Sequence, residues 1–243
     1  MVKVLELFSG THSVGKVCEE LGYEVVSLDM VLPADIQCNI MDWDYKKDYK
    51  PGDFDIVWGS PPCTEYSALK NCWLGRKLKS GEIFTREQME INKLEADKLV
   101  LRVFEIIDYF KPTDWYMENP GAKQGLKSRE IMKDKKFTDC DYCMYSDWGY
   151  KKRTAFWSNK DLKLNCCNGK CGNIVITEDK NKIHAINLGG MDNHIRIKHK
   201  KNLNDFGGGS TITKKDMDKI GKQTNRIDRY RIPHSLIKDM FLQ

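Results

Sequence analysis

One thiol in this chain is set apart by its neighbours. Cys63 closes the run Gly59-Ser60-Pro61-Pro62-Cys63, directly after the candidate strand 54–58. Two prolines in succession hold the backbone ahead of the thiol in a form that neither strand nor helix continues. A cysteine presented at a strand end suits covalent attack on an electron-poor carbon. A second pair, Glu118-Asn119, follows the candidate strand 113–117. A carboxyl there can exchange a proton with a heterocyclic ring nitrogen, and the amide can orient its loop or a base edge. A third set is Gly10, Asp29 and Asp42, each after an apolar run. A glycine at a strand-to-helix turn lets backbone N–H groups approach a ligand, Asp29 is placed to accept from ribose hydroxyls, and Asp42 to hold an adenine amino group. Together they describe an adenosyl pocket. Neither G-x-G-x-x-G nor a Walker lysine motif is present, which argues against a dinucleotide or nucleoside triphosphate loop.

These groups need a sheet to gather them. Residues 2–8, 23–28 and 54–58 read as largely buried strands, with a short candidate at 38–41 and others at 113–117 and 154–157. Between them, Val14, Val17, Cys18 and Leu21 repeat at helical spacing, as do Leu94, Leu99, Val103, Ile106, Ile107 and Phe110 within 92–110, where Pro112 marks the end. A last helix is expected over 233–242, burying Leu236, Ile237, Met240 and Phe241. The alternation predicts an α/β fold with a doubly wound, mostly parallel sheet and ligands at the carboxyl ends of its strands. From about Asn159 the texture becomes irregular. The expected division is a main domain at 1–158, a small lobe at 159–225, and a helix within 226–243 that returns to the main domain.

Charge separates along the chain. Residues 151–243 carry 20 Lys or Arg against 9 Asp or Glu, so +11; the whole chain is +5, which leaves −6 for the first 150 residues. A basic tail, with Arg196-Ile197-Lys198-His199-Lys200-Lys201 at its centre, is expected to face a polyanion. No apolar run approaches the roughly 20 residues needed to cross a bilayer, and no secretory leader opens the sequence. An intracellular monomer without membrane contact is expected, its nine cysteines being thiols, ligands or a nucleophile rather than disulfides. Cys140-x-x-Cys143 and Cys166-Cys167-x-x-x-Cys171 can gather around a structural zinc. The set Cys143, Cys167, Cys171 and His184 and an all-cysteine set both fit.

Phe8-Ser9-Gly10, Pro62-Cys63 and Glu118-Asn119, in that order, resemble the cofactor, nucleophile and acid motifs of the cytosine-5 DNA methyltransferases, over about residues 1–158. The resemblance implies a fold of the S-adenosylmethionine-dependent methyltransferase type, in a small form with a reduced target-recognition lobe. It implies methyl transfer to carbon 5 of cytosine in DNA: the Cys63 thiolate adds to C6, Glu118 protonates N3, and Asn119 supports the base. The implied cofactor contacts are Phe8, Gly10, Thr11, Asp29, Met30, Asp42 and Pro61. The base would leave the duplex to be reached. Residues 64–86, with Lys70, Arg76, Lys77 and Lys79, resemble the loop that closes over it. Where the family has Gln-x-Arg-x-Arg, this chain has Tyr150-Lys151-Lys152-Arg153; Arg153 is the expected catalytic cation, with Lys152 the other candidate. An RNA substrate and a catalytically inactive nucleic-acid-binding relative are the alternatives.

Overall fold

Successive residues of a strand face opposite sides of its sheet, and in β1 (Lys3–Leu7) Val4 and Leu5 are both fully buried. The sheet is therefore covered on both faces. The computed structural model describes residues 1–176, 180, 182–184 and 230–243. The Arg196–Lys201 cluster, the Gly207-Gly208-Gly209 run and most of the lobe expected at 159–225 lie outside the described residues.

After β1 come α1 (Ser13–Glu20), β2 (Glu24–Asp29), β3 (Ile36–Gln37), the one-turn α2 (Tyr45–Asp48), β4 (Ile56–Gly59), α3 (Arg86–Phe110), β5 (Asp114–Pro120), β6 (Phe137–Asp141) and β7 (Arg153–Ser158). They form one seven-stranded sheet in the order β3-β2-β1-β4-β5-β7-β6. Every pair from β3 to β5 is parallel, whereas β7 runs antiparallel to both β5 and β6. The fold is thus α/β, doubly wound and mostly parallel, with one reversed strand. A separate hairpin joins β8 (Ile174–Ile176) to β9 (Lys182–His184), and α4 (His234–Phe241) is the last described helix.

One face packs Leu5, Leu7, Val57, Met117 and Trp157 against Val100, Val103, Ile106, Ile107 and Phe110 of α3. The other packs Val4, Ile56, Trp58, Tyr116 and Phe156 against Val14, Val17 and Cys18 of α1 and Leu236, Ile237 and Met240 of α4. Helix α4 is also tied to α1 by His234 on Glu20 at 2.6 Å, and the segment before it by the Ile232 N–H on Ser13 Oγ at 3.3 Å. Helix α3 crosses β4 so closely that a Cβ on Gly59 would come within 2.8 Å of Val103 Cγ1.

Three elements differ from the sequence pattern. The third strand is Ile36–Gln37 rather than 38–41, because Asn39 starts a turn in which its carbonyl accepts from Asp42 N–H at 2.9 Å. Helix α3 begins six residues before 92: Thr85 caps it by accepting from Gln88 N–H at 3.2 Å, and its first turns are exposed, so no apolar period announces them. Strand β6 was not expected at all, since Phe137-Thr138-Asp139-Cys140-Asp141 has charges at an edge position.

Candidate functional site

The carboxyl ends of β1, β2, β4 and β5 meet where the strand order reverses, and a cavity of about 540 Å³ opens there. That volume lies within the roughly 300–1,000 Å³ of small-molecule sites. Phe8, Gly10, Thr11, Asp29, Met30 and Pro61 line it, and so do Cys63, Glu118 and Lys152. Three loops distant in sequence, after β1, β4 and β5, supply the candidate cofactor contacts, the thiol and the acid.

The turn after β1 is built tightly. Phe8 and Gly10 both take positive φ, +58° and +52°, and the Gly10 N–H donates to Asp29 Oδ2 at 2.9 Å. The other Asp29 oxygen accepts the N–H groups of Val31 and Leu32 at 2.7 and 2.8 Å. Asp29 therefore fixes both loops at the cavity mouth, and its Oδ2 has lone-pair capacity for one further donor. Asp42 is not in this wall. It borders a separate depression with Trp43 and Arg102, because the turn at Asn39 carries it away, and Cys38, Asn39 and Ile40 line the cavity instead.

Beneath the same turn lies a pair that no motif announces, buried Glu6 and half-buried His12. Glu6 accepts the N–H groups of Val14 and Gly15, both at 3.1 Å, at the amino end of α1, and its second oxygen is 2.7 Å from His12 Nδ1. The signal in the sequence was a lone acid inside an apolar strand. The hydrogen bond to Glu6, aided by its charge and by Glu19, pushes His12 up to about 9. A histidine raised on folding stabilises fully below its unfolded value near 6.5, and that contribution is lost as pH rises through about 9. Discounted for partial exposure, the loss is about 1 kcal/mol, or roughly 2–4 °C. His12 occupies the left-handed region, which asparagine tolerates. Thermal melts from pH 6.5 to 9.5 should therefore fall more steeply for the natural protein than for the His12→Asn variant.

Cys63 sits at the head of a single 3-10 turn (Thr64–Tyr66), and its carbonyl accepts from Tyr66 N–H at 3.1 Å. Burial and then the Glu118 carboxylate push the thiol up, while the Lys152 ammonium pulls it down. Asn119, fully buried, donates from Nδ2 to the Pro61 carbonyl at 3.0 Å, so it grips the nucleophile loop from the strand beside it. The far side of that loop is held by Tyr66, whose hydroxyl donates to buried Asp97 at 2.8 Å; Arg129 also clamps Asp97, with Nε at 2.9 Å and Nη2 at 2.7 Å, and reaches Glu90. Arg129→Ala would strand a buried carboxylate. A loss of about 3–5 kcal/mol in urea-measured stability is expected. A variant within 1 kcal/mol of the natural protein would contradict this.

The structure places the two candidate cations apart. Arg153 faces away from the cavity and forms two bonds to the buried Asp141 carboxylate, at 2.6 and 2.8 Å. Lys152, one residue earlier and so on the opposite side of the chain, lines the cavity with Nζ 3.7 Å from Glu118 Oε1. Glu118, 8% exposed, also accepts from the Tyr142 hydroxyl at 3.2 Å on that oxygen. In the loop after Cys63, Lys70 is turned inward: it pairs with Glu65 at 2.9 Å and lies over the rings of Trp73 and Phe84.

A second cluster lies on the other side of β7. Cys143, Cys167, Cys171 and His184 bring their ligand atoms within 4.8 Å of one another. His184 Nε2 is 3.7 Å from Cys167 Sγ and 3.4 Å from Cys171 Sγ. Cys140 is absent from the group, fully buried in the core on the sheet face that α1 and α4 cover, and Cys166 Sγ instead donates to the Asp139 carbonyl at 3.3 Å. Of the two ligand sets the spacing allowed, the structure gathers the one with histidine. No described helix is long and apolar enough to cross a membrane.

The sheet and its switch-point cavity define a doubly wound α/β protein with a ligand site at the carboxyl ends of its strands. No family model matches the chain. It is 38% identical over 159 residues to the frog virus 3 (isolate Goorha) protein named "Probable DNA (cytosine-5)-methyltransferase", a match spanning 65% of this chain and 71% of that one. A crystal structure described as a "putative DNA modification methyltransferase" encoded within an E. coli prophage is 13% identical with a TM-score of 0.40, over 65% of this chain and 46% of its own. This chain thus spans less than half of that solved protein. By the sequence relation, the chain belongs to the DNA (cytosine-5)-methyltransferase family, a family of enzymes.

Proposed function

We propose that the protein transfers a methyl group from S-adenosylmethionine to carbon 5 of cytosine in DNA. The observation that carries this reading is the sharing of one cavity wall by Cys63, Glu118 and the Gly10-Asp29 turn. Phe8, Gly10, Thr11, Asp29, Met30 and Pro61 would hold the cofactor. The fit rests on a turn with two positive-φ residues and on the buried Ser9 Oγ within it, which has no hydrogen-bond partner among the described residues. When bound, S-adenosylmethionine supplies an electrophilic methyl group.

The chain's own part begins at the thiol. Cytosine C5 is a poor nucleophile until addition at C6 breaks the ring conjugation. Cys63, its thiol proton released to solvent, forms that bond while Glu118, in its protonated form, gives a proton to N3, which makes C5 electron-rich. Loss of the C5 proton to solvent water after methylation then lets the sulfur leave C6 as thiolate, and N3 returns its proton to Glu118. The two residues are electrically linked, because the Glu118 charge raises the thiol and Lys152 lowers it. In its protonated form Glu118 would not oppose the thiolate, leaving the Lys152 attraction. Lys152, beside Glu118, takes the cationic role that the motif comparison gave to Arg153.

The Cys143, Cys167, Cys171 and His184 cluster would hold one zinc ion. Zinc–sulfur and zinc–nitrogen bonds of about 2.3 and 2.0–2.1 Å in a tetrahedron place sulfur and nitrogen ligands about 3.6 Å apart, which the 3.4 and 3.7 Å separations at His184 match. Three thiols and one imidazole leave no open position, so the ion would be structural.

The decisive experiment incubates purified protein with isotopically labelled methyl donor and, separately, DNA and RNA, and identifies the modified base. Label in 5-methylcytosine from DNA is the expected result. Label only in RNA, or on another atom, would overturn the assignment.

A further inference from the structure

Cys143 directly follows Tyr142, and this adjacency joins the thiol cluster to the acid of the reaction centre. Tyr142 is fully buried. Its hydroxyl donates to Glu118 Oε1 at 3.2 Å, its N–H donates to the Lys152 carbonyl at 3.1 Å, and the Lys152 ammonium lies 4.7 Å from its ring centroid. One side chain thus touches both groups that set the charge around Cys63.

The turn carrying Tyr142 is weak by itself. Tyr142–Met144 is a single 3-10 turn closed by one backbone bond, Tyr145 N–H to the Tyr142 carbonyl at 2.9 Å, and so short a turn is held by its surroundings rather than by propensity. Those surroundings belong to the ligand-bearing segments. On one side, buried Asp141 accepts the Cys167 N–H at 2.7 Å as well as Arg153. On the other, Asn173 Nδ2 donates to the carbonyls of Cys143 and Ser146 at 3.0 and 2.7 Å, and its oxygen accepts from Gly149 N–H at 3.0 Å. Cys143 then enters the Cys167, Cys171 and His184 cluster. A metal ion there would bind the turn covalently to both segments flanking it.

We infer that Tyr142 is a positioning residue for Glu118 and that the metal centre acts through it, so that an ion bound at the cluster holds the acid in place for proton transfer to the base. The inference rests on the zinc and methyl-transfer readings above, and its test separates the three. Metal analysis of the purified full-length protein should find about one zinc per chain; none would remove the metal reading and this inference with it, leaving the methyl-transfer reading intact. Four samples are then compared: natural protein and the Tyr142→Phe variant, each zinc-loaded and after chelation, with zinc content, hydrogen exchange, cofactor affinity and turnover measured on each.

Chelation of the natural protein should speed backbone exchange at residues 141–146, leave cofactor affinity within about twofold, and lower kcat about tenfold with little change in the KM for DNA. The zinc-loaded Tyr142→Phe variant should keep its metal and show a comparable fall in kcat. Removing zinc from that variant should cost less than about twofold more, because both changes break the same link. Multiplying losses would show that metal and tyrosine act separately, and full turnover after confirmed zinc loss would show no link; either result overturns the inference. Collapse of cofactor binding on chelation would also overturn it, by marking an ion needed for the whole fold. The exchange measurement reads the brace even in a protein that transfers no methyl group, so failure of the activity and failure of the brace remain distinct.

Discussion

The Cys63→Ser variant should lose methyl transfer by more than about 10³-fold while binding the adenosyl cofactor as the natural protein does. The expectation follows from how little else the substitution changes. A hydroxyl replaces a thiol of similar size in a loop whose shape comes from Pro61 and Pro62, from the Asn119 hydrogen bond to the Pro61 carbonyl, and from the Tyr66 bond to the Cys63 carbonyl. The cofactor turn depends on Gly10 and Asp29, which belong to other strands. What is lost is nucleophilicity, since an alkoxide is far harder to form than a thiolate. DNA containing 5-fluorocytosine supplies the complementary measurement. Fluorine at C5 cannot leave as the proton does, so the adduct should persist on the natural protein, map to the Cys63 peptide, and be missing from the Cys63→Ser variant. Undiminished turnover by that variant would remove Cys63 from the mechanism.

Much of this centre was legible because its residues stand at strand ends, where apolar runs stop abruptly. Gly10, Asp29, Cys63 and Glu118 each follow such a run, and parallel strands bring those positions to one edge by topology alone. Asp42 misled for the same reason reversed: the strand before it is only Ile36–Gln37, and the turn at Asn39 sends the acid elsewhere. Partners supplied by other strands left no local trace. Nothing near Glu118 in sequence points to Tyr142, 24 residues away, and Lys152 and Arg153 were indistinguishable until β7 assigned them opposite sides. The histidine-containing ligand set was one of two that the spacing allowed; burial of Cys140 on the core side of β6 decided between them. Edge strand β6 was missed because two of its five residues are aspartates, one of which, Asp141, is buried only by virtue of Arg153 and the Cys167 amide.

Glu118→Gln should separate the acid from the nucleophile by moving two measurements in opposite directions. The amide keeps the shape of the carboxyl and can still accept from Tyr142, but it has no proton to give to N3, and loss of general acid catalysis typically costs about 10²–10⁴-fold in turnover. At the same time the substitution deletes the carboxylate charge that pushes the Cys63 thiol up and leaves the Lys152 pull unopposed. The thiolate fraction of Cys63 at a fixed pH near 8 must then rise. Alkylation of the Cys63 peptide by iodoacetamide, followed by mass spectrometry, should accordingly be faster in Glu118→Gln than in the natural protein, although turnover has collapsed. Lys152→Met should do the reverse to the thiol, slowing alkylation, because it removes the side-chain charge that lowers it. A variant damaged merely in its fold would expose its thiols indiscriminately, and the buried Cys18 and Cys140 serve as internal controls for that outcome. Slower or unchanged alkylation of Cys63 in Glu118→Gln, with those two cysteines still protected, would mean that the acid and the thiol are not electrically coupled.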